Sequence, residues 1–238
     1  MLNQMRIGLF VVARNGSSRL PKKHLLKFRN KKMIEILISR VLKTKLIDNF
    51  ILTTTIKKED DIFEKIVKKM GISIYRGYSE NVKKRLYLAS KKFNIDLIIL
   101  INGDRPFSDP NIINSALNLY LKKKLSILTT HLKQTFPQGF DVDIFPSKDL
   151  LKSFKLSKKK EDWEHVTKIF FDHPKKFKLY NLIAPKKYLL PKLSFLLDYK
   201  KDYIKIKKLL SIAHKDNFNE QIGCEDIIKI VKNNPNFF

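Results

Sequence analysis

The amino-acid sequence predicts an α/β protein in which a mostly parallel sheet lies between two layers of helices. Short apolar runs of strand length alternate along the chain with amphipathic segments of helical spacing. The strand at 97–102, LIILIN, is apolar on both faces, as is typical of a sheet covered on both sides. The chain has 238 residues, of which 43% are hydrophobic, and this composition fits one compact unit.

The first half of the chain carries a regular alternation. The predicted strands are 7–13, 50–54, 73–75, 97–102 and 126–130. The predicted helices are 33–43, 59–70, 81–93 and 109–122. Gly71 is expected to end the second helix, because glycine adopts the left-handed conformation found just after a helix. We therefore expect the loops that follow these strands to meet at the carboxyl edge of one sheet, where such folds bind ligands.

The pattern changes after residue 130. Residues 136–145, FPQGFDVDIF, combine a Pro and Gly turn with an alternation that predicts a strand with Asp141 and Asp143 on one polar face. Further helices are predicted at 149–156, 162–172, 199–212 and 225–232, and further strands at 178–183 and 193–197. We expect a single domain over 1–238, with residues 131–190 as a small insertion that could form a subdomain.

The composition restricts the class of protein. The net charge of +26 suggests nucleic-acid binding, but only eight of the 49 basic residues are arginine and the lysines are spread along the whole chain. A coat of solvated lysines is therefore the favoured interpretation, and a nucleic-acid partner is not expected. The single cysteine, Cys224, excludes internal disulfides, and no apolar run is long enough for a membrane span. With no signal-peptide pattern at the N-terminus, we expect a cytoplasmic protein.

The most informative segment is 11–26, VVARNGSSRLPKKHLL, which follows the first strand. Its cations and small residues, Arg14, Gly16, Ser17, Arg19 and Lys23, suit the binding of a polyphosphate. The strand at 97–102 ends in GDRP, which places the carboxylate of Asp104 at the same edge of the sheet. One basic loop and one acidic loop are the minimum equipment of a nucleotide–magnesium site.

The segment RNGSSRLPKKHL resembles the signature of sugar-acid cytidylyltransferases, which activate sugar acids as CMP conjugates. The common form is A-R-x-x-S-[ST]-R-L-P-G-K-x-L. The matching residues are Ala13, Arg14, Ser17, Ser18, Arg19, Leu20, Pro21, Lys23 and Leu25. Lys22 replaces the glycine of that pattern.

Further segments resemble the spore-coat polysaccharide branch of this family in the same order along the chain. They are ENVKKR at 80–85, GDRPFSDP at 103–110, PQGFDVDIF at 137–145, EHVTKIF at 164–170 and LLDYKKDY at 196–203. Asp143 stands where the family has glutamate, and Tyr199 and Lys200 depart from the family pattern after Asp198. The resemblance implies the nucleotide-diphospho-sugar transferase type of fold.

The resemblance also implies a reaction, in which CMP is transferred from CTP to a sugar acid and pyrophosphate is released. It implies Mg²⁺ as the cofactor, held by Asp104 and Asp198, and surface polysaccharide synthesis as the pathway. Lys23, Arg14 and Asp104 are the implied catalytic residues. The implied nucleotide-binding residues are Ala13, Arg14, Gly16, Ser17, Arg19, Lys23, Arg85 and Asp104.

The implied sugar-binding residues are Asp141, Glu164 and His165, all within the insertion at 131–190. These residues could instead serve a dimer interface, and the resemblance leans towards a homodimer. Arg85 either faces the nucleotide or sugar or is exposed to solvent. Two other functions stay open: a nucleotidyl- or glycosyltransferase of the same fold that uses another nucleotide, and a catalytically silent relative that binds a nucleotide or RNA.

Overall fold

The computed structural model describes residues 5–215 and 221–234. Nine strands are assigned in this part of the chain: β1 (Ile7–Val12), β2 (Lys27–Phe28), β3 (Lys31–Lys32), β4 (Asn49–Thr55), β5 (Ser73–Gly77), β6 (Leu97–Asn102), β7 (Ile127–Thr129), β8 (Asp143–Pro146) and β9 (Leu179–Asn181). Seven form one sheet in the order β5-β4-β1-β6-β8-β7-β9, and β2 pairs only with β3. Only β8 is antiparallel to its neighbours in the large sheet, so the prediction of a mostly parallel sheet is confirmed.

The helices alternate with these strands. They are α1 (Met33–Val41), α2 (Ile62–Met70), α3 (Val82–Lys92), α4 (Pro110–Lys122), α5 (Ser147–Phe154), α6 (Lys160–Glu164), α7 (Lys168–Asp172), α8 (Lys200–Lys215) and α9 (Cys224–Asn233). Alternate residues of β1 enter different hydrophobic clusters, with Leu9 and Val11 in one and Phe10 in the other. Since successive side chains of a strand point to opposite faces, helices cover the sheet on both sides, as predicted.

The register of the parallel strands explains where the site lies. Val12, the last residue of β1, pairs with Thr53 of β4 and with Asn102, the last residue of β6. The loops after β1 and β6 therefore leave the same edge of the sheet side by side. Gly71 ends α2 with φ of 68°, as the sequence predicts.

The structure corrects the predicted strand at 136–145. Only Asp143–Pro146 forms a strand, because the chain turns at Gly139, whose φ is +99°. Asp141 and Asp143 are both buried. The predicted strand at 193–197 is also absent, since this segment forms only an isolated bridge with the turn at Gln138, through the amides of Gln138 and Phe195.

The predicted helix at 162–172 is wrong in its middle. It is divided into α6 and α7, because His165 has φ of −90° and ψ of 82°, outside the helical region. The following β-branched pair, Val166 and Thr167, has low helix propensity. Similarly, the predicted helix at 59–70 does not begin at residue 59: residues 58–60 form a 3₁₀ turn before α2, in which the Asp60 carboxylate accepts backbone N–H groups from other segments.

The segment at 131–190 is tied closely to the main sheet. It contributes both β8 and β9, and Ile144 of β8 belongs to the same hydrophobic cluster as Leu9 of β1. No helix within the described ranges is long and apolar enough to cross a membrane.

Candidate active site

A cavity of about 630 Å³ opens at the carboxyl edge of the sheet. Ten of the residues predicted from the sequence line it: Ala13, Arg14, Gly16, Ser17, Arg19, Lys23, Arg85, Asp104, Glu164 and His165. Asp198 lies beside the cavity, where it contacts Lys23 and Arg19. Asp141 lies behind the wall and does not line the cavity. Their roles in nucleotide, metal and sugar binding stay predictions.

The loop after β1 is held in place by hydrogen bonds to the chain after β4. The Asn15 backbone N–H donates to Asp60 Oδ1 at 2.7 Å, and the Asn15 side-chain amide donates to the Glu59 carbonyl at 2.6 Å. The fully buried Asp60 also accepts the backbone N–H and hydroxyl of Thr55. These bonds fix the loop before any ligand arrives, as electrostatic catalysis requires.

Lys22 adopts the conformation that the usual glycine would supply. Its φ of 54° and ψ of 27° are left-handed, and its amide donates to the Asn15 carbonyl at 3.1 Å. A lysine is strained in this conformation, whereas glycine adopts it freely. The loop therefore keeps the glycine geometry despite the substitution.

Lys23 joins the two carboxylates that the family resemblance assigns to a metal. Its ammonium lies 3.2 Å from Asp104 Oδ2 and 2.8 Å from Asp198 Oδ1, and its side chain is only 7% exposed. The backbone N–H of Leu197 donates to the Asp104 carbonyl at 2.8 Å, which brings Asp198 to this point. Arg19 Nη2 adds a second cation, 2.9 Å from Asp198.

The pKa of Asp104 reflects this arrangement. Burial opposes ionisation of the carboxyl, but Lys23, followed by Arg105, holds its pKa below the ordinary value. The other oxygen, Asp104 Oδ1, is buried and has no hydrogen-bond partner within the described part of the chain. An ionised carboxylate with an unused oxygen is a suitable ligand for a hard divalent cation.

His24 forms a second contact between the same two loops. Its Nδ1 lies 3.1 Å from the Gly103 carbonyl, which can only accept, so Nδ1 carries the proton. Burial, followed by the neighbouring Lys23, lowers the pKa of His24 to about 4, so the ring is neutral at pH 7. A side chain at position 103 would approach His24 and the Val12 carbonyl to about 3 Å, so the contact requires glycine. Nothing in the sequence singles out His24 for this role.

Arg85 of α3 lies in the cavity wall and is fully buried. Its Nη1 donates to the Tyr78 carbonyl at 2.7 Å, but Nε and Nη2 have no hydrogen-bond partner within the described residues. Burial lowers its pKa to about 10, so the guanidinium stays charged at pH 7. Buried donors without partners in a cavity wall are suited to an incoming anion or carbonyl oxygen. Of the two sequence interpretations, the structure excludes a solvent-exposed Arg85.

Arg14 and Glu164 meet at the mouth of the cavity. Arg14 Nη2 lies 2.6 Å from Glu164 Oε1, and both side chains are partly exposed. The resemblance assigns Arg14 to the nucleotide and Glu164 to the sugar. The structure therefore brings a predicted nucleotide residue into contact with a predicted sugar residue.

Arg105, His131 and Asp143 are among the cavity residues that were given no site role from the sequence. Arg105 Nη1 donates to the Asp141 carbonyl at 2.9 Å, and His131 Nε2 lies 3.0 Å from the Asp143 carboxylate. Burial opposes a charge on His131, but Asp143 raises its pKa, and His131 in turn lowers the pKa of Asp143. The signal that could have found them is their position, since Arg105 follows β6 and His131 follows β7.

Solved structures of nucleotidyltransferases share this mostly parallel fold. CMP:2-keto-3-deoxy-manno-octonic acid synthetase, solved with CTP, shares the fold with a TM-score of 0.66 and 18% identity, over 87% of this chain and 99% of that one.

Closer relatives identify the family. The cytidylyltransferase family model matches residues 9–222, and the chain belongs to this family of nucleotidyltransferases. A cytidylyltransferase from Leptospira borgpetersenii has a TM-score of 0.92 and 28% identity, with 98% of this chain and 97% of that chain covered.

Two curated relatives also match nearly the whole chain. MJ1063 of Methanocaldococcus jannaschii is 32% identical over 97% of this chain and 92% of its own length. The spore coat polysaccharide biosynthesis protein SpsF of Bacillus subtilis is 27% identical over 95% of both chains. The sequence resemblance to the sugar-acid cytidylyltransferases is thereby confirmed.

Proposed function

We propose that this enzyme transfers CMP from CTP to a sugar acid in a Mg²⁺-dependent reaction that serves surface polysaccharide synthesis. The observation that carries the proposal is the position of Lys23, whose ammonium contacts both Asp104 and Asp198 inside a cavity rimmed by Arg14 and Arg19. A fixed cation between two carboxylates, next to further cations, suits a triphosphate and its metal ion. Because CTP is a cytoplasmic nucleotide, we propose the cytoplasm as the compartment.

In the proposed reaction a hydroxyl oxygen of the sugar attacks the α-phosphorus of CTP. The new bond joins that oxygen to the α-phosphorus, the bond from the α-phosphorus to the oxygen that bridges to the β-phosphorus breaks, and the hydroxyl proton passes to water. Negative charge moves onto the departing pyrophosphate. Lys23, Arg14 and Arg19 bind and orient the phosphates, while the Ser17 hydroxyl and the loop amides donate hydrogen bonds to them.

The residues present fit a Mg²⁺ ion whose coordination shell is completed by the nucleotide. Asp104 offers a buried oxygen without a partner, and Asp198 offers a second carboxylate on the other side of Lys23. No group of three or more potential ligand side chains occurs in the described part of the chain. That is consistent with Mg²⁺, which usually takes one or two carboxylates and completes its shell with phosphate oxygens and water. When bound, the ion would neutralise phosphate charge and polarise the reacting phosphoryl group.

Arg85 and the Arg14–Glu164 pair suggest how two substrates share the cavity. The unpartnered Nε and Nη2 of Arg85 are suited to oxygen atoms of the nucleotide. Glu164 and His165 line the same cavity from the break between α6 and α7. The names of SpsF and of the octonic acid synthetase support a sugar acid and a polysaccharide pathway for the acceptor.

Pyrophosphate release tests the proposal. The protein is incubated with Mg²⁺ and CTP, UTP, ATP or GTP, across Kdo and sialic, pseudaminic and legionaminic acids. We expect release with CTP and one acid, and loss of at least 100-fold in turnover for Lys23→Ala and Asp104→Ala. Full turnover by these two variants, when folded, would remove the core of the proposal. Equal release from all four nucleotides would show that the enzyme is not specific for CTP.

A further inference from the structure

The wall of the cavity formed by Arg105, His131 and Asp143 has no part in the contacts proposed for CTP. Its chemistry identifies the group on the acceptor that the enzyme recognises. This inference rests on the proposed function and names one subsite within the cavity.

The sheet topology brings these residues together. Arg105 directly follows Asp104 after β6, and His131 lies two residues beyond the end of β7. Since β8 is antiparallel to both strands, its first residue, Asp143, lies at the same edge and pairs with Leu100 and Thr129. The three side chains therefore lie beside the carboxylate that the resemblance assigns to the metal.

Arg105 is held from behind by Asp141. Its Nη1 donates to the Asp141 carbonyl at 2.9 Å, and its Nε lies 3.4 Å from Asp141 Oδ2. The Asp141 carboxylate is itself fixed, because it accepts from the Gly139 backbone N–H and from the side-chain amide of Gln134. A guanidinium has five N–H donors in a rigid plane, so most of them stay available to a ligand in the cavity.

His131 is held in a similar way by Asp143. Its Nε2 lies 3.0 Å from each oxygen of the Asp143 carboxylate, and its single N–H at that atom bonds Oδ2. Asp143 Oδ1 is left buried without a hydrogen bond. The His131 ring also packs nearly perpendicular to the Phe171 ring, with ring centroids 5.8 Å apart, which restricts its orientation.

This wall therefore presents the guanidinium of Arg105 and the ring of His131, each held by an aspartate, together with one acceptor oxygen of Asp143. We propose that Arg105 and His131 bind the carboxylate of the acceptor and that Asp143 Oδ1 accepts a hydrogen bond from a neighbouring hydroxyl. A carboxylate and a hydroxyl that are close to each other on one molecule are the groups found in an α-hydroxy acid, including the ring form of a 2-keto sugar acid. A carboxylate would give the remaining N–H donors of Arg105 a charge-assisted partner, which a neutral sugar cannot supply.

Acid and ester pairs test this assignment. Each sugar acid of the panel is compared with its own methyl ester, which keeps the ring and hydroxyls but removes the negative charge. Pyrophosphate release from CTP gives kcat/KM for both, and the ratio of acid to ester is the readout. We expect a ratio of about 100 or more in the wild type, and a ratio at least tenfold lower in Arg105→Gln and in His131→Asn.

The ratio separates binding from folding. A variant that is merely less well folded would lose acid and ester turnover equally, which would leave the ratio unchanged and overturn the proposal. Arg105 is more deeply buried than His131, so we expect its replacement to disturb folding more. His131→Asn is therefore included as the second variant. Lys133→Gln is the matched control, since it removes a positive charge two residues from His131 on an exposed side chain, and its ratio should equal that of the wild type.

A binding measurement covers acids that are not consumed. The protein is labelled with ¹⁵N-histidine and saturated with α,β-methylene-CTP, and the ring resonances of His131 are identified as those that disappear in His131→Asn. An acid that binds should shift these resonances, whereas its methyl ester should not. No such shift with any acid, in protein that binds the CTP analogue, overturns the proposal, as does turnover of acceptors without a carboxylate. Both outcomes leave the CTP reaction intact, whereas failure to bind CTP contradicts the proposed function itself.

Discussion

Arg14 Nη2 lies 2.6 Å from Glu164 Oε1, so an ion pair joins the loop after β1 to the end of α6 across the mouth of the cavity. If Arg14 binds the triphosphate as proposed, phosphate oxygens and the Glu164 carboxylate compete for one guanidinium. Binding of the nucleotide would then release Glu164 for the acceptor. An ordered reaction with CTP first follows from this competition.

Glu164→Gln should therefore bind CTP more tightly than the wild type, because the competing charge is removed. Both side chains are partly exposed, so the pair is screened by water and the gain should be about two- to fivefold. Titration calorimetry with CTP and Mg²⁺, without an acceptor, measures the change.

Glu80→Gln is the matched control for this prediction. It removes the same charge from a side chain that interacts electrostatically with Arg14 but does not line the cavity, is paired with Lys160 at 2.9 Å, and is more exposed. Its effect on CTP affinity should be smaller than that of Glu164→Gln. Equal gains would show that general charge, and not the Arg14 contact, controls the affinity, while weaker binding by Glu164→Gln would mean that Glu164 itself binds the nucleotide.

The contact between Lys23 and Asp104 shows which parts of the site follow from sequence. The two residues are 81 positions apart, but β1 and β6 are parallel neighbours, and the loops that follow such strands must meet. The apolar runs of strand length were sufficient to predict that these two loops lie at the same edge of the sheet. Asp198 could only be assigned by resemblance, because it is placed by the Leu197–Asp104 backbone hydrogen bond and not by a strand.

Asp143 shows why the rest could not be predicted. Alternation correctly placed it opposite Ile144 on a polar face, but it does not show what that face contacts. Here that position faces the cavity, because β8 runs antiparallel between β6 and β7. His131 was missed for the same reason, since its partner depends on a strand direction that the sequence does not encode locally. The break between α6 and α7 depends on the two backbone angles of His165. The spacing of apolar residues in the sequence does not reveal a change at a single residue.

Lys23→Met should make the stability of the protein respond to Mg²⁺. In the wild type the ammonium neutralises Asp104 and Asp198, whereas in the variant the two carboxylates would repel each other and bind a cation more tightly. We expect about 10 mM Mg²⁺ to raise the Tm of the variant by roughly 2–4 °C more than that of the wild type. Differential scanning calorimetry without nucleotide measures this.

Lys27→Met, on an exposed strand residue, removes a nearby lysine as a control and should leave the Mg²⁺ response unchanged. Identical responses of wild type and Lys23→Met would argue against a metal site between Asp104 and Asp198.

Lys22→Gly should stabilise the protein by about 1 kcal/mol. The left-handed φ of 54° strains a lysine, and the relief exceeds the additional freedom that glycine gives to the unfolded chain. For a chain of this length the gain corresponds to roughly 2–4 °C in Tm. Lys57→Gly, at a φ of −65°, has no such strain to relieve and should not stabilise the protein. A loss of stability in Lys22→Gly would mean that the lysine side chain contributes more than the strain costs.

The pH dependence of stability should reveal the burial of His24. Its pKa is lowered to about 4 in the folded protein from an unfolded value near 6.5, so between these values the unfolded chain binds the additional proton. Stability therefore rises with pH through this window: the contribution of His24 is complete above pH 6.5 and is lost progressively as the pH falls towards 4. Between pH 7.5 and pH 5 the expected loss from this residue is about 2 kcal/mol.

His24→Asn should remove this part of the pH dependence and keep the loop contact, because an asparagine amide can also donate to the Gly103 carbonyl. Urea unfolding of wild type and His24→Asn at pH 7.5 and pH 5 gives the loss of stability of each protein. The contributions of all other groups cancel when the two losses are subtracted. His173→Asn, outside the cavity, controls for the loss of a histidine. If wild type and His24→Asn lose the same stability at pH 5, His24 is not buried as a neutral ring, and the contact between the loops after β1 and β6 differs from the one described.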